Sequence, residues 1–446
     1  MESTLRPFKT HGGAHVPHHK NTSEMESVFM PEPEKVIIPM VQHIGAPCAP
    51  VVKKGDHVYM GQKVGDTEAF VSAPVHASVS GTVTEIKKIM LTGGQKVDAV
   101  VIESDGKMEL DPLIAPPEEV KDKKGLAKIA RDSGLVGLGG AGFPAHVKLN
   151  VPDDKNIDTL IINVAECEPY VTCDHREALE NGKNVLAGIY KIKEILDVHK
   201  VVIAIEDNKQ DAIEAMKKIA DDRELDPKDE VKIMPLKSIY PQGAEKILVQ
   251  AVTGRMVPAG KLPADVGCLV MNIGSVSFLA SYMKNGIPLI KKRITIDGSA
   301  VKNPMNVIVP VGTPIKDVIE FAGGYKAEPR KIIMGGPMMG VAVTGDDLPV
   351  LKQNNGILAF DEKEAKLQAP TECIRCGRCV AACPMKLMPT KLEKYSERGD
   401  VEMLNALDIM TCMECGCCSF SCPAGRRIVQ AIRLGKNYVK RAGTKK

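Results

Sequence analysis

The run Cys373-Ile374-Arg375-Cys376-Gly377-Arg378-Cys379-Val380-Ala381-Ala382-Cys383-Pro384 spaces four cysteines by two, two and three residues and ends on proline. The pattern recurs as Cys412-Met413-Glu414-Cys415-Gly416-Cys417-Cys418-Ser419-Phe420-Ser421-Cys422-Pro423. A cubane cluster needs four thiolates converging on one small object. The two-residue spacing wraps a loop that delivers three of them, and the fourth, just before proline, ligates the other cluster of a two-cluster module. The pattern therefore assigns Cys373, Cys376, Cys379 and Cys422 to one [4Fe–4S] cluster, and Cys412, Cys415, Cys418 and Cys383 to a second. Structural zinc uses four ligands as two separated pairs, which these runs are not. Cys417 breaks the spacing and reads as a buried thiol. Between the runs, Leu392, Tyr395, Met403, Leu404, Leu407 and Met410 recur at near-helical intervals, so a helical insertion is expected to shield the clusters.

Composition agrees with a redox protein and excludes other classes. The chain has 446 residues, enough for roughly three domains at about 150 residues each. Its 59 basic and 56 acidic residues leave a net charge of +3, so no basic footprint for nucleic acid is on offer. Aromatic residues are 4% and Trp is absent, which argues against a base-stacking platform. No apolar run is long enough to span a bilayer, and the first residues lack the apolar core of a secretory leader. Thirteen cysteines in a chain expected to stay in the reducing cytosol need a reason other than disulfides, and nine of them fall within residues 373–422.

Upstream of the clusters the fold class reads as multidomain, α/β and α+β. Residues 1–115 comprise an N-terminal segment and short β-rich runs with turns at Lys53-Lys54-Gly55-Asp56 and Ser80-Gly81-Thr82-Val83, the pattern of a barrel-sandwich hybrid. Prosthetic-group carriers of that type hold their group on a hairpin-tip lysine. No lysine occurs from Val64 to Ile86, so a structural or docking role is expected. Residues 120–285 alternate strands (Asp158–Val164, Val201–Glu206, Leu269–Ile273) with helices (Arg176–Leu196, Asp211–Ala220, Gly243–Val252). That alternation predicts a Rossmann-like α/β domain whose ligands sit at the carboxyl ends of its strands. Residues 286–362 read as a small β-grasp domain, 363–425 as the two-cluster module, and 426–446 as a basic tail. From Ala424 onward the chain has eight Lys or Arg and no acid; a solvated, partly helical segment is expected there, the alternative being a contact with anionic lipid or an acidic partner near a membrane. The histidines His11, His15, His18 and His19 lie in a Pro- and Gly-containing stretch and are expected to pack on another domain.

Gly137-Leu138-Gly139-Gly140-Ala141-Gly142-Phe143-Pro144 matches the dinucleotide glycine pattern in form, but a helix rather than a strand precedes it. Its small residues still let backbone amides approach a flat or anionic ligand. Lys148 follows and could pair with a phosphate. After the next strand, Asn163-Val164-Ala165-Glu166-Cys167-Glu168-Pro169 puts two carboxylates where a ribose or nicotinamide would lie.

Together with Tyr240-Pro241-Gln242-Gly243-Ala244-Glu245, these two stretches resemble the FMN and NADH site of the flavoprotein subunit of respiratory complex I. Phe8-Lys9-Thr10-His11-Gly12-Gly13-Ala14-His15, Gln42-His43-Ile44-Gly45-Ala46-Pro47 and the double cysteine run resemble, more specifically, the RnfC family, the C-type subunits of the Rnf complex, across essentially the whole chain. The resemblance implies a β-grasp domain of the SLBB type and a peripheral NAD(H)-reacting subunit at the cytoplasmic face of the membrane. It implies ferredoxin:NAD oxidoreduction coupled to Na⁺ or H⁺ movement, with the B-type iron–sulfur subunit and the integral membrane subunits of the Rnf complex as partners. By the same resemblance Gly137, Gly139, Gly140, Gly142, Lys148, Asn163, Tyr240, Gly243 and Asn272 would hold FMN, and Phe143, Glu166, Glu168 and Glu245 would face NADH. Leu138 and Ala244 depart from the complex I pattern, where an Arg and a Glu are expected. A flavin–iron–sulfur cobalamin reductase of a microcompartment, or a flavin-free electron wire or scaffold, could share the same modules.

Overall fold

The strand Thr159–Val164 is apolar on both faces: Leu160, Ile162 and Val164 join one core, and Ile161 joins another. A strand of this kind belongs inside a parallel sheet covered on both sides. In the computed structural model, which describes residues 5–92, 94–222, 226 and 231–443, it does. Four parallel strands lie in the order Val231–Leu236, Lys200–Glu206, Thr159–Val164, Cys268–Asn272. The strand order reverses between the last two, and a crevice opens at such a switch point. Asn163 and Asn272 are register partners at the carboxyl ends of those strands. The expected strands and helices are all present, the long helix running Cys173–Leu196 with a kink at Asn181. The strand Val231–Leu236 and the helix Ile273–Asn285 are additional elements.

Two small antiparallel sheets form the barrel-sandwich unit, one of strands Lys35–Pro39, Lys96–Ser104, Gly81–Met90 and His57–Val58, the other of Ala49–Pro50, Lys63–Asp66 and Val75–His76. The third unit is a mixed six-stranded sheet ordered Ser27–Phe29, Met305–Pro310, Lys291–Asp297, Gly356–Phe360, Lys331–Met334, Val341–Val343. Its edge strand Ser27–Phe29 comes from the N-terminal segment and pairs in parallel with Asn306–Ile308.

In the cluster unit, short helices Arg378–Ala381 and Cys417–Phe420 follow the two cysteine loops, and Pro389–Arg398 and Val401–Ala406 fill the insertion. The basic segment corrects the expectation of a solvated tail. Ile428–Gly443 is a helix whose Ile428, Val429 and Ile432 are buried with Leu392, Leu404 and Ile409, so its apolar stripe belongs to the cluster unit's core, and its Arg433 and Lys436 pair with Glu414 of the second cysteine loop at 2.9 and 2.7 Å.

The units are locked by buried polar contacts. Arg293 of the third unit bonds Glu177 (3.0 Å) and Glu180 of the long helix. Lys352 is fully buried where three units meet, and its Nζ donates to Pro74 O and Gly134 O at 2.7 Å each. Burial without a counter-ion lowers the Lys352 amine to about 7. Between about 7 and the ordinary lysine value of 10.5 the unfolded chain then binds more protons than the folded one, so this group's contribution to stability rises with pH across that window. Thermal melts should show the native chain gaining stability relative to Lys352→Met from neutral to alkaline pH. Parallel curves for the two proteins would contradict it.

Candidate functional site

The two cysteine runs fold into opposed loops. Cys373, Cys376, Cys379 and Cys422 line one small pocket. Cys383, Cys412, Cys415 and Cys418 line another, walled by Leu387, Leu392, Val429 and Ile432. These are the two quartets that the spacing groups together, with Cys383 and Cys422 each crossing to the other run's pocket. Burial pushes the Cys412 thiol up to about 11 and also raises Cys379 and Cys383. Such thiols become thiolates when iron supplies the compensating charge, so the donor set fits a [4Fe–4S] cluster in each pocket. Cys417 is fully buried and stands outside both quartets' spacing; its thiol faces the carbonyl of Tyr240 at 3.7 Å.

The glycine loop sits above the sheet's switch point. Leu138 N donates to Ser275 Oγ at 3.0 Å, and Asn272 caps the helix Ile273–Asn285 through Gly274 N. Gly140 and Gly142 have φ of +115° and +65°, which a side chain would strain. Gly139, Gly140 and Ala141 stay exposed, whereas Gly142 is buried against Gln353, and its carbonyl accepts from Ile44 N at 3.0 Å. The Oε1 of Gln353 is buried with no hydrogen-bond partner. An open, Cβ-free cradle beside an unpaired acceptor fits a flat, polar ligand such as FMN.

Below the loop, Asn163 Nδ2 donates to Gly243 O at 2.9 Å, and Lys148 forms an ion pair with Glu245 and reaches Val270 O. Lys148, Asn163, Gly243, Glu245 and Asn272 are therefore linked at the strand ends, and the glycine loop closes on itself where Gly137 N donates to Phe143 O at 2.8 Å. Asp174 Oδ2 accepts from Asn272 Nδ2 at 2.6 Å, and burial followed by the Glu166 charge pushes its carboxyl up to about 7. Asp174 gave no sequence signal of its own, since its role depends on the first turn of the long helix meeting a strand end about a hundred residues away.

The acidic loop departs from its expected orientation. Glu166 is buried and its carboxylate accepts from Cys173 Sγ and from the amides of Asp174 and His175, so it caps the long helix beside Asp174. Glu168 accepts the amides of Met338 (2.9 Å) and Met339 (2.8 Å) in the third unit. Lys20, from the N-terminal segment, donates to the carbonyls of Glu166, Glu168 and Val171 at 2.7, 2.9 and 2.5 Å. Of the four histidines, His18 O accepts Tyr170 N and the His19 ring stacks on Tyr170 at 4.8 Å, so this stretch does pack on another unit. Tyr240 is almost wholly buried and sits with Ala14, Val16, Ala382, Cys415 and Cys417, between the α/β unit and the second pocket. Burial and then the neighbouring Glu168, Cys167, Cys415 and Cys417 drive its phenol far up, so it stays neutral.

An α/β unit with a flavin-type cradle, packed against eight cysteines in two interlocked pockets, defines a flavin- and iron–sulfur-dependent electron-transfer protein. The chain belongs to the RnfC family. It matches the RnfC barrel sandwich hybrid domain over residues 8–107, the Nuo51 FMN-binding domain over 130–281, the SLBB domain over 293–342 and the 4Fe-4S dicluster domain over 372–426. It is 46% identical over 432 residues, 96% of both chains, to the C subunit of the Na(+)-translocating ferredoxin:NAD(+) oxidoreductase complex of Acetobacterium woodii. It is 45% identical, over 98% of this chain and 95% of the other, to the C subunit of the proton-translocating ferredoxin:NAD(+) oxidoreductase complex of Clostridium ljungdahlii. The C subunit of the ion-translocating oxidoreductase complex of Rhodobacter capsulatus is 38% identical, with 99% and 85% covered.

The crossing of Cys383 and Cys422 makes the ligand sets separable by mutation. In anaerobically reconstituted protein, Cys422→Ser should lose about half the iron, one of two equivalent clusters. Adding Cys373→Ser should remove little more, whereas adding Cys412→Ser should remove the rest. The reverse outcome, read by iron and sulfide analysis, would mean that each run keeps its own four thiolates.

Proposed function

We propose that the chain is the NAD(H)-reacting subunit of an Rnf-type membrane complex, and that its residues order a path from nicotinamide to a partner subunit. The observation that carries this reading is the placement of the second thiol pocket directly behind the flavin crevice, through Tyr240 and Cys417. Bound FMN supplies conversion of a two-electron hydride into single electrons, which a [4Fe–4S] cluster accepts one at a time.

The chain's own residues bind and align. Gly139 and Gly140 offer the open face for FMN and Gly137 and Gly142 shape the base of the loop, with Asn163, Gly243 and Asn272 at the strand ends and Lys148 as the cation for its phosphate. Lys148 is paired with Glu245, so phosphate binding would exchange one anion for another and free Glu245 toward NADH beside Phe143. Glu166 and Glu168 act indirectly, by fixing the loop that walls the nicotinamide side. Cys373 and Cys376 are exposed while Cys415 and Cys418 are buried. The second cluster is thus the inner station and the first the outer one, facing the partner.

No helix among the described residues is long and apolar enough to cross a membrane. In this reading ion movement belongs to the integral subunits, and this chain docks on the cytoplasmic face, with the B-type iron–sulfur subunit and ferredoxin reached through the complex. The enzyme activity is therefore that of the assembly, ferredoxin:NAD oxidoreduction, with this chain as its nicotinamide port.

The test is to purify the chain without oxygen, restore iron, sulfide and FMN, and add NADH. Both the flavin and the cluster absorbance should bleach. Cys422→Ser should still bleach the flavin and the inner cluster, but should pass electrons to an added acceptor much more slowly. Protein loaded with FMN and iron that NADH leaves unbleached would refute the assignment.

A further inference from the structure

Residues 8–22 cross the back of the flavin crevice and touch the α/β unit, the cluster unit and the third unit. Phe8 N donates to Ala251 O at 2.8 Å. Gly13 N donates to Ala382 O at 3.0 Å, Ala14 N to Tyr240 O at 2.7 Å, and Tyr240 N returns to Ala14 O at 3.1 Å. Farther along, Lys20 holds the acidic loop and Asn306 Nδ2 donates to Thr22 O at 2.8 Å.

At its narrowest point this strap is one glycine pair thick. Gly12 has φ +66°, and a Cβ there would lie 2.8 Å from Cys383 C and 2.9 Å from Ala382 O. Gly13 has φ +96°, and its Cβ would lie 2.8 Å from Tyr240 O. Consecutive residues thus press on opposite bodies: the cluster unit on one side, the α/β unit on the other. No side chain fits at either position without moving one body away from the other. Cys417 supplies a second tie, its thiol meeting the same Tyr240 carbonyl that takes Ala14 N. Both ties end one residue from a member of the inner quartet: Ala382 precedes Cys383, and Cys417 precedes Cys418. On the other side, Tyr240 lies three residues before Gly243, whose carbonyl holds Asn163 on the crevice floor.

We propose that the Gly12–Ala14 strap, with Cys417 as its second tie, is the spacer that sets the gap between the inner cluster and the flavin crevice. This rests on the function proposed above. In the step it governs, no bond between heavy atoms is made or broken: one electron leaves reduced flavin, one cluster gains one negative charge, and the proton released by the flavin passes to solvent. Electronic overlap falls steeply with separation, so a small widening slows this step while leaving hydride transfer, which takes place on the other side of the crevice, untouched. Gly12, Gly13 and Cys417 are positioning residues: the two glycines lie in the strap, and Cys417 lines the inner pocket but stands outside the two-two-three ligand spacing.

The test uses the full-length, anaerobically reconstituted chain mixed rapidly with NADH. In Gly12→Ala the flavin-bleaching phase should keep the native rate, and the cluster-bleaching phase should slow severalfold. Hydrogen exchange at the Ala14 and Tyr240 amides should quicken in parallel. Should Gly12→Ala fail to retain iron, Cys417→Ala removes a tie without adding bulk and should slow the same phase to a smaller degree. A native cluster-bleaching rate in a variant whose Ala14 and Tyr240 amides have become exchangeable would overturn the proposal, as would equal slowing of both phases. A native chain that holds flavin and iron but passes no electrons between them would overturn the functional reading itself, and would do so before any substitution is made.

Discussion

Each cluster pocket depends on a sulfur delivered by the other run. Cys422 closes the pocket of Cys373, Cys376 and Cys379, and Cys383 closes that of Cys412, Cys415 and Cys418. Neither loop can then bind its cluster unless the two are held back to back. The helices Pro389–Arg398 and Ile428–Gly443 provide that hold, and Gly435 permits it, because a Cβ there would strike Ser396. Arg426 adds a pair to Glu393 at 2.9 Å between the same two segments. The basic C-terminal helix is thus a structural part of the cluster unit: its apolar stripe joins the core, and its Arg433 and Lys436 tie the second cysteine loop through Glu414 and the Cys412 carbonyl.

A second constraint is the irregular backbone around the flavin crevice. Loops that are partly buried leave carbonyls and amides that must be paired. The segment Glu166–Val171 solves this with groups from elsewhere: the Lys20 ammonium on three of its carbonyls, and its own carboxylates on amides of the long helix and the third unit. Two acids that read as ligand-facing therefore serve first to fix the wall of the site. Taking either away would leave amides of a neighbouring unit unpaired as well as removing a charge.

What could be read from the sequence was what is local in it. The cysteine spacing grouped the quartets, because a ligand run is a geometric statement about a dozen residues. The α/β alternation located three of the four strands to within a residue or two but missed Val231–Leu236, and Asn163 and Asn272, which the family resemblance singled out, turn out to be register partners at the switch point. Contacts with large sequence separation were illegible. Nothing near Ser27 announces its pairing with Asn306, and nothing near Gly12 announces Cys383. The burial of Lys352 has no local cause in its own segment, and only the meeting of three units explains it. The direction of a carboxylate is likewise set by which amides the tertiary fold brings near, not by its place in a motif.

The barrel-sandwich unit, which lacks a carrier lysine, braces the glycine loop. Its Gln42–Pro47 turn is placed against the glycine loop: Gln42 Oε1 accepts from Lys352 N at 3.1 Å, and Ile44 N donates to Gly142 O. Gly45, at φ +120°, lets that turn pass so close to Val71 O that any side chain would collide. The third unit presses Gln353 on Gly142 from another side. A glycine-rich loop has more conformational freedom than any other sequence and loses the most on being ordered. Held at its base by two further units, it leaves only Gly139–Ala141 exposed as the face toward a ligand, so most of that ordering is complete before FMN arrives. A flavin site that must keep a fixed relation to clusters in a different unit gains from such bracing, and that gives domains with no redox chemistry a physical reason to be part of the chain.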